Sequence, residues 1–168
     1  MNTVKAACHA IKSSDIGTLT VLLNNDPALV QATTPFGPLL HIAAGLGNEQ
    51  MLAILVSRGA DLDSRGGTFG GTALNYAASK GQLGAVRFLL DRGAQIDVSE
   101  PERNPLFGAV QSGSLDVARL LIRHGLDTTV AYTGESMKDM DALAFALEMG
   151  QTKIAHFLRT RLRVVGEI

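Results

Sequence analysis

The sequence predicts an all-α solenoid, a row of antiparallel helix pairs stacked one on the next. Three observations predict it. A small residue recurs at Ser14, Gly47, Gly81, Gly113 and Gly150, at spacings of 33, 34, 32 and 37. A period near 33 is the mark of a repeat architecture. Around each of these anchors, apolar residues fall at fixed offsets: Ala10-Ile11, Ala43-Ala44, Ala77-Ala78, Ala109-Val110 and Ala146-Leu147 before it, and Val21-Leu22, Ile54-Leu55, Phe88-Leu89, Leu120-Leu121 and Phe157-Leu158 after it. Finally, the 168 residues hold no Trp, two Tyr and six Phe. A core so poor in aromatics is built from Leu, Ile, Val and Ala, in thin layers rather than one thick one.

Each copy reads as two helices joined at the anchor. Ala7, Leu40, Leu74, Leu106 and Leu143 begin the apolar pattern of the first helix. Thr72, Asn104 and Asp141 are placed to cap first helices, and Asn104-Pro105 is a cap followed by proline at the first helical position. Asp15, Asn48 and Ser114 are placed to cap second helices. Gly59, Gly93 and Gly125 fit the left-handed residue just past a helix end. The alanine pairs let first helices approach closely, and the leucine pairs fill the wider gap behind them. Leu89, in the central copy, is expected to be fully buried. One copy cannot bury its own apolar face, so stability comes from neighbours. The outer copies read as caps. Arg159 stands where the others carry Leu23, Val56, Leu90 and Ile122, with Arg161 and Arg163 after it, and Asn24-Asn25-Asp26-Pro27 replaces a glycine stop in the first. The expected organisation is one domain over residues 1–168, with copies at about 3–33, 34–67, 68–98, 99–135 and 136–163.

The pattern resembles the ankyrin-repeat family over residues 3–163. The family's Thr-Pro-Leu-His-x-Ala-Ala-x-x-Gly stands here as Leu40-His41-Ile42-Ala43-Ala44-Gly45-Leu46-Gly47, followed by Ser57-Arg58-Gly59-Ala60-Asp61. It stands again as Thr72-Ala73-Leu74, Ala77-Ala78-Ser79-Lys80-Gly81 and Leu89-Leu90-Asp91-Arg92-Gly93-Ala94, and in the fourth copy as Pro105-Leu106, Gly113 and Leu120-Leu121-Ile122-Arg123-His124-Gly125. The motif histidine, which in the family ties neighbouring turns by hydrogen bonds, survives only as His41. Cys8, Asn75, Phe107 and Ala144 take its place elsewhere.

The resemblance implies a protein-binding scaffold whose hairpin-like finger loops and exposed first-helix faces form a concave surface. Carried over position by position, that surface offers Phe36 and Leu46 in the second copy, and Thr68, Phe69, Ser79 and Lys80 in the third. It offers Arg103 and Gln111 in the fourth, and Lys138, Met140 and Met149 in the fifth. Phe36 and Phe69 either pack beneath their own fingers or anchor a partner, a role aromatic side chains favour. The methionines adapt to irregular partner surfaces. The expected role is reversible binding of another protein, as a small stand-alone inhibitor such as an immunity or antitoxin-like protein. An adaptor linking two proteins is the alternative, and an enzyme a remote one.

Chemistry of other kinds finds little support. A formal net charge of −1 supplies no global field to draw in nucleic acid or membrane. No apolar run approaches membrane-spanning length, and the default compartment is the cytosol. Cys8 is the lone cysteine, so neither an internal disulfide nor a cysteine zinc site can form, and it reads as core on an apolar helical face. His9, His41, His124 and His156 fall in different copies and make no i, i+4 ligand pair. The run Gly66-Gly67-Thr68-Phe69-Gly70-Gly71 lacks the Gly-Lys-Ser/Thr ending of a phosphate loop and reads as a flexible finger. Glu135, Asp139 and Asp141 around Lys138 read as a solvated loop, and Arg159, Arg161 and Arg163 as the capping face. No catalytic residue, metal or cofactor is expected, and the chain is expected to be a monomer.

Overall fold

The computed structural model describes residues 3–134 and 137–165, with side chains through residue 161. Glu135 of the acidic loop and the side chain of Arg163 lie outside the described residues. The helices are α1 (Thr3–Lys12), α2 (Ile16–Asn25), α3 (Leu39–Leu46), α4 (Glu49–Ser57), α5 (Ala73–Ser79), α6 (Leu83–Leu90), α7 (Pro105–Gln111), α8 (Leu115–Arg123), α9 (Ala142–Glu148) and α10 (Thr152–Val165). Odd-numbered helices pack side by side in one row and even-numbered helices in a second. Helices this short are marginal alone in water, so the stacking is what holds them.

The first-helix row is the closer of the two, and its small residues explain why. Ala43, Ala44, Ala77, Ala78, Ala109 and Val110 are all fully buried. At Gly108 the approach is close: a Cβ there would lie 3.0 Å from the Ser79 amide nitrogen of the neighbouring helix. Leu19, Leu55, Leu89 and Leu121 fill the second row and are fully buried.

The turn inside each pair repeats in all five copies. In the second, the Asn48 N–H donates to the Ala43 carbonyl and the Gly47 N–H to the Ala44 carbonyl, both at 3.0 Å. This double closure needs a left-handed residue at the anchor, and Gly47 supplies it at φ 69°. Ser14 adopts the same conformation at φ 56° and closes the same pair of bonds to Ala10 and Ile11. The alanine pairs therefore serve twice, as spacers between helices and as acceptors in the turn. The expected caps form: side-chain oxygens of Asp15, Asn48, Asn104, Ser114 and Asp141 accept from Thr18, Met51, Leu106, Val117 and Ala144 N–H groups. At Thr72 the neighbour reaches back, the Asn75 side-chain oxygen accepting from both the Thr72 amide and its hydroxyl.

Between pairs the chain projects fingers. The second copy's is a two-stranded hairpin, β1 (Thr33–Thr34) against β2 (Gly37–Pro38). The third closes with an isolated antiparallel bridge between Gly66 and Gly71, and the fifth with one between Tyr132 and Met140. The fourth has a tight turn instead, the Arg103 and Asn104 N–H groups both donating to the Glu100 carbonyl. A 3-10 turn over Pro27–Gln31 stands where the first copy lacks its glycine stop.

The ends differ from the middle as an unpaired layer must. Leu147 occupies the column of Ala44, Ala78 and Val110 but is 52% exposed, since no further copy packs on it among the described residues. Arg159 is exposed in the same layer. Cys8 departs from its expected place: it packs against the core but is only half-buried, since among the described residues the first-helix row covers α1 on one side alone. Burial is still enough to push its thiol pKa up.

Candidate protein-binding groove

The groove is built on the residue that follows the leucine of each first helix. In α3 this is His41, fully buried, whose Nε2 lies 2.9 Å from the Gly71 carbonyl at the base of the next finger. A carbonyl only accepts, so Nε2 carries the proton and Nδ1 is bare. Nδ1 is buried with no partner among the described residues. In α5 the same position is Asn75, whose side-chain amide donates to the Arg103 carbonyl at the base of the fourth finger. The tie between neighbouring turns, which the resemblance carries to His41 alone, thus passes to Asn75 as well. In α7 the position is Phe107, which makes the junction with rings: it stacks on Phe145 (4.8 Å between centroids, 15° between planes) and meets Tyr132 edge-on at 5.3 Å. The Tyr132 hydroxyl donates to the Val98 carbonyl at 2.8 Å and accepts from the Asn104 side chain at 3.1 Å.

These junctions set the fingers over the helices. Tyr76 lies against His41 edge-on at 5.0 Å, and burial pushes its hydroxyl pKa up. A Cβ at Gly67 would collide with that hydroxyl, so the glycine admits the close approach. Arg65 and Asp97 pair at 2.6 Å and join the bases of two neighbouring fingers. Burial pushes the Asp97 carboxyl up, but hydrogen bonds from Ser99 and the Arg65 guanidinium outweigh it and hold the group below the usual carboxylate range.

A groove of about 410 Å³ runs between the fingers and first helices of the third, fourth and fifth copies. Of the expected surface residues, it gathers Thr68, Phe69, Ser79, Lys80 and Gln111. Phe69 is 67% exposed, which settles its position on the surface rather than beneath its finger. Phe36 (66% exposed) and Leu46 are equally on the surface, one copy away and outside the groove lining. The Lys12 ammonium sits 5.9 Å over the Phe36 ring. Lys138 and Met149 are exposed beyond the lining. Arg103 is held by Glu100 at 3.3 Å and by the Ser99 hydroxyl at 3.4 Å. Met140 is half-buried against the core and exchanges two backbone hydrogen bonds with Tyr132. The lining also includes Tyr76, Glu102, Gly108 and Phe145, which sequence reasoning passed over, and Asn75 and Phe107, which it named only as replacements of the motif histidine. Aligning the first helices would have exposed one of them: Gly108 stands in the column of Ile42, Tyr76 and Phe145.

Two lining residues are charged, Lys80 on the helix wall and Glu102 on the finger wall. Among the described residues neither takes part in an ion pair. Among the described residues, too, no group of three or more His, Cys, Asp or Glu side chains could hold a metal ion, and no helix is long and apolar enough to cross a membrane.

Stacked helix pairs with fingers over an apolar, open groove define a repeat scaffold for gripping other macromolecules. The chain belongs to the ankyrin-repeat family: the family model for three ankyrin repeats matches residues 6–100. It is 35% identical over 118 residues to ankyrin repeat and SOCS box protein 16 of Mus musculus, covering 65% of this chain and 26% of that protein. It is 41% identical over 68 residues to the B-cell lymphoma 3 protein homolog of Mus musculus, covering 39% of this chain and 15% of that one. It is 32% identical over 101 residues to ankyrin repeat and SOCS box protein 5 of Oryctolagus cuniculus, covering 60% and 30%. The chain thus spans under a third of the length of these relatives. Membership makes it a protein–protein interaction module.

Proposed function

We propose that the chain binds a segment of another protein in the groove of the third to fifth copies, and that binding inhibits the partner by covering a working surface. One observation carries the reading. Phe69, two-thirds exposed, lines a groove together with Phe107 and Phe145, and the groove's charged residues Lys80 and Glu102 have no ion-pair partner among the described residues. An exposed aromatic beside an apolar concavity is the arrangement of an interface anchor. The setting is cytosolic and the binding unit a monomer. The adaptor alternative draws on a separate observation, the exposed pair Phe36 and Leu46 one copy away, which would serve a second partner.

The test starts from partners recovered on the immobilised chain and identified by mass spectrometry. Calorimetry with the purified partner should show Phe69→Ala weakening affinity by at least about tenfold, with the thermal midpoint little changed. Equal affinity for both forms would sink the reading. Assaying the partner's own activity with one equivalent of the chain separates the roles: an inhibitor suppresses it, an adaptor does not.

A further inference from the structure

Alignment of the first helices gives one column, Ile42, Tyr76, Gly108 and Phe145, on the side facing the fingers. The fourth copy alone of these has no side chain there. Tyr76 and Phe145 flank the gap, Phe107 lies beside Gly108, and Phe69 and Met137 reach in from the fingers. The groove is a notch beside the close contact of α7 with α5, where a Cβ at Gly108 would lie 3.0 Å from the Ser79 amide nitrogen, and its walls are the side chains around that contact. Its volume of about 410 Å³ falls within the roughly 300–1,000 Å³ of specific ligand pockets.

We propose, building on the interaction reading above, that this notch receives one large apolar side chain, aromatic or Leu, from an extended partner segment. That segment carries an acidic residue on the Lys80 side of the anchor and a basic residue on the Glu102 side. The apolar walls select the anchor. Lys80 and Glu102 are the charged groups of the lining, each without an ion-pair partner among the described residues, and like charges set against them are rejected. An extended backbone also brings unmet N–H and C=O groups. The Gln111 amide and Thr68 hydroxyl line the same groove, and neither makes a hydrogen bond among the described residues.

The experiment is selection of a random peptide library, displayed on phage, against the immobilised full chain. The expected result is enrichment of sequences with one aromatic or Leu between an acidic and a basic residue. Gln111 is exposed at the end of α7, so Gln111→Trp fills the notch without touching the core. It should abolish enrichment and weaken a synthetic winning peptide at least about tenfold in calorimetry, with an unchanged melt. Lys80→Glu should exchange the acidic preference for a basic one. Absence of enrichment, winners without a shared apolar anchor, or winners indifferent to Gln111→Trp would each overturn the proposal. So would a dimer in sedimentation that Gln111→Trp dissolves, since a second copy would then be the occupant. A protein partner weakened by Phe69→Ala but not by Gln111→Trp would remove the notch and leave the interaction groove standing. Indifference to both removes both.

Discussion

Where the second copy meets the third, the junction residue is His41, and it works through one directed hydrogen bond to the Gly71 carbonyl. Where the fourth meets the fifth, it is Phe107, and it works through contact area, stacked on Phe145 and edge-on to Tyr132. Both fix a finger relative to the helix beneath it. They differ in what they leave over. The histidine spends its donor on the carbonyl, and burial puts its bare Nδ1 out of a ligand's reach. The phenylalanine has no polar obligation and adds apolar surface to the groove. The array keeps its spacing with alanines and leucines that every copy shares, and differentiates its surface by changing the chemistry of one junction position.

The largest test of that contrast is Phe107→Ala. Removing a buried aromatic that packs on two rings should cost about 3–5 kcal/mol, read from the urea midpoint at constant m-value. It should also widen the groove and abolish binding there. A loss below about 1 kcal/mol, no more than a typical net hydrogen bond contributes, would mean that the rings do not hold the junction.

Local rules made most of the fold legible beforehand. The anchors, caps and stops each depend on backbone geometry within one turn, so Ser14 could be read in a glycine's role from its place in the period, and it adopts that conformation. What stayed hidden depends on residues about thirty positions away. Nothing near Asn75 shows that its amide meets the Arg103 carbonyl. Position within a finger likewise does not say whether a side chain faces a partner or serves the finger. Thr68 and Phe69 reach the groove, whereas Arg103 is held by Glu100 and Met140 braces Tyr132. The notch at Gly108 was visible only as a gap in a column, since a glycine inside a helix reads first as a weak helix former.

A smaller effect sharpens the contrast from the aromatic side. Tyr132→Phe keeps the ring against Phe107 but removes a hydroxyl that donates to Val98 and accepts from Asn104. Leaving both partners unmet should cost about 1–3 kcal/mol, clearly less than Phe107→Ala in the same denaturation series. An equal loss would show that the junction is polar after all, and that the two junctions are variants of one mechanism.

The smallest effect distinguishes the histidine junction by pH. Burial lowers the His41 pKa from its ordinary 6.5, opposed by the bond to Gly71. In the folded chain the imidazole therefore stays neutral at a pH where the unfolded chain has already taken up a proton. The unfolded state then binds more protons, so stability rises with pH across that interval. The contribution is fully present above the unfolded value near 6.5 and is lost as the pH falls below it toward the folded pKa. Asp15, Asp97 and Asp127 are held below the usual carboxylate range, so their own contributions fade at more acidic pH. His41→Asn copies the side chain that makes the tie in the next copy and removes the titrating ring. The variant should lose little stability at pH 8 and show a flatter decline between roughly pH 7 and 5.5. Parallel curves for variant and wild type would mean that His41 is not what makes the second junction acid-sensitive.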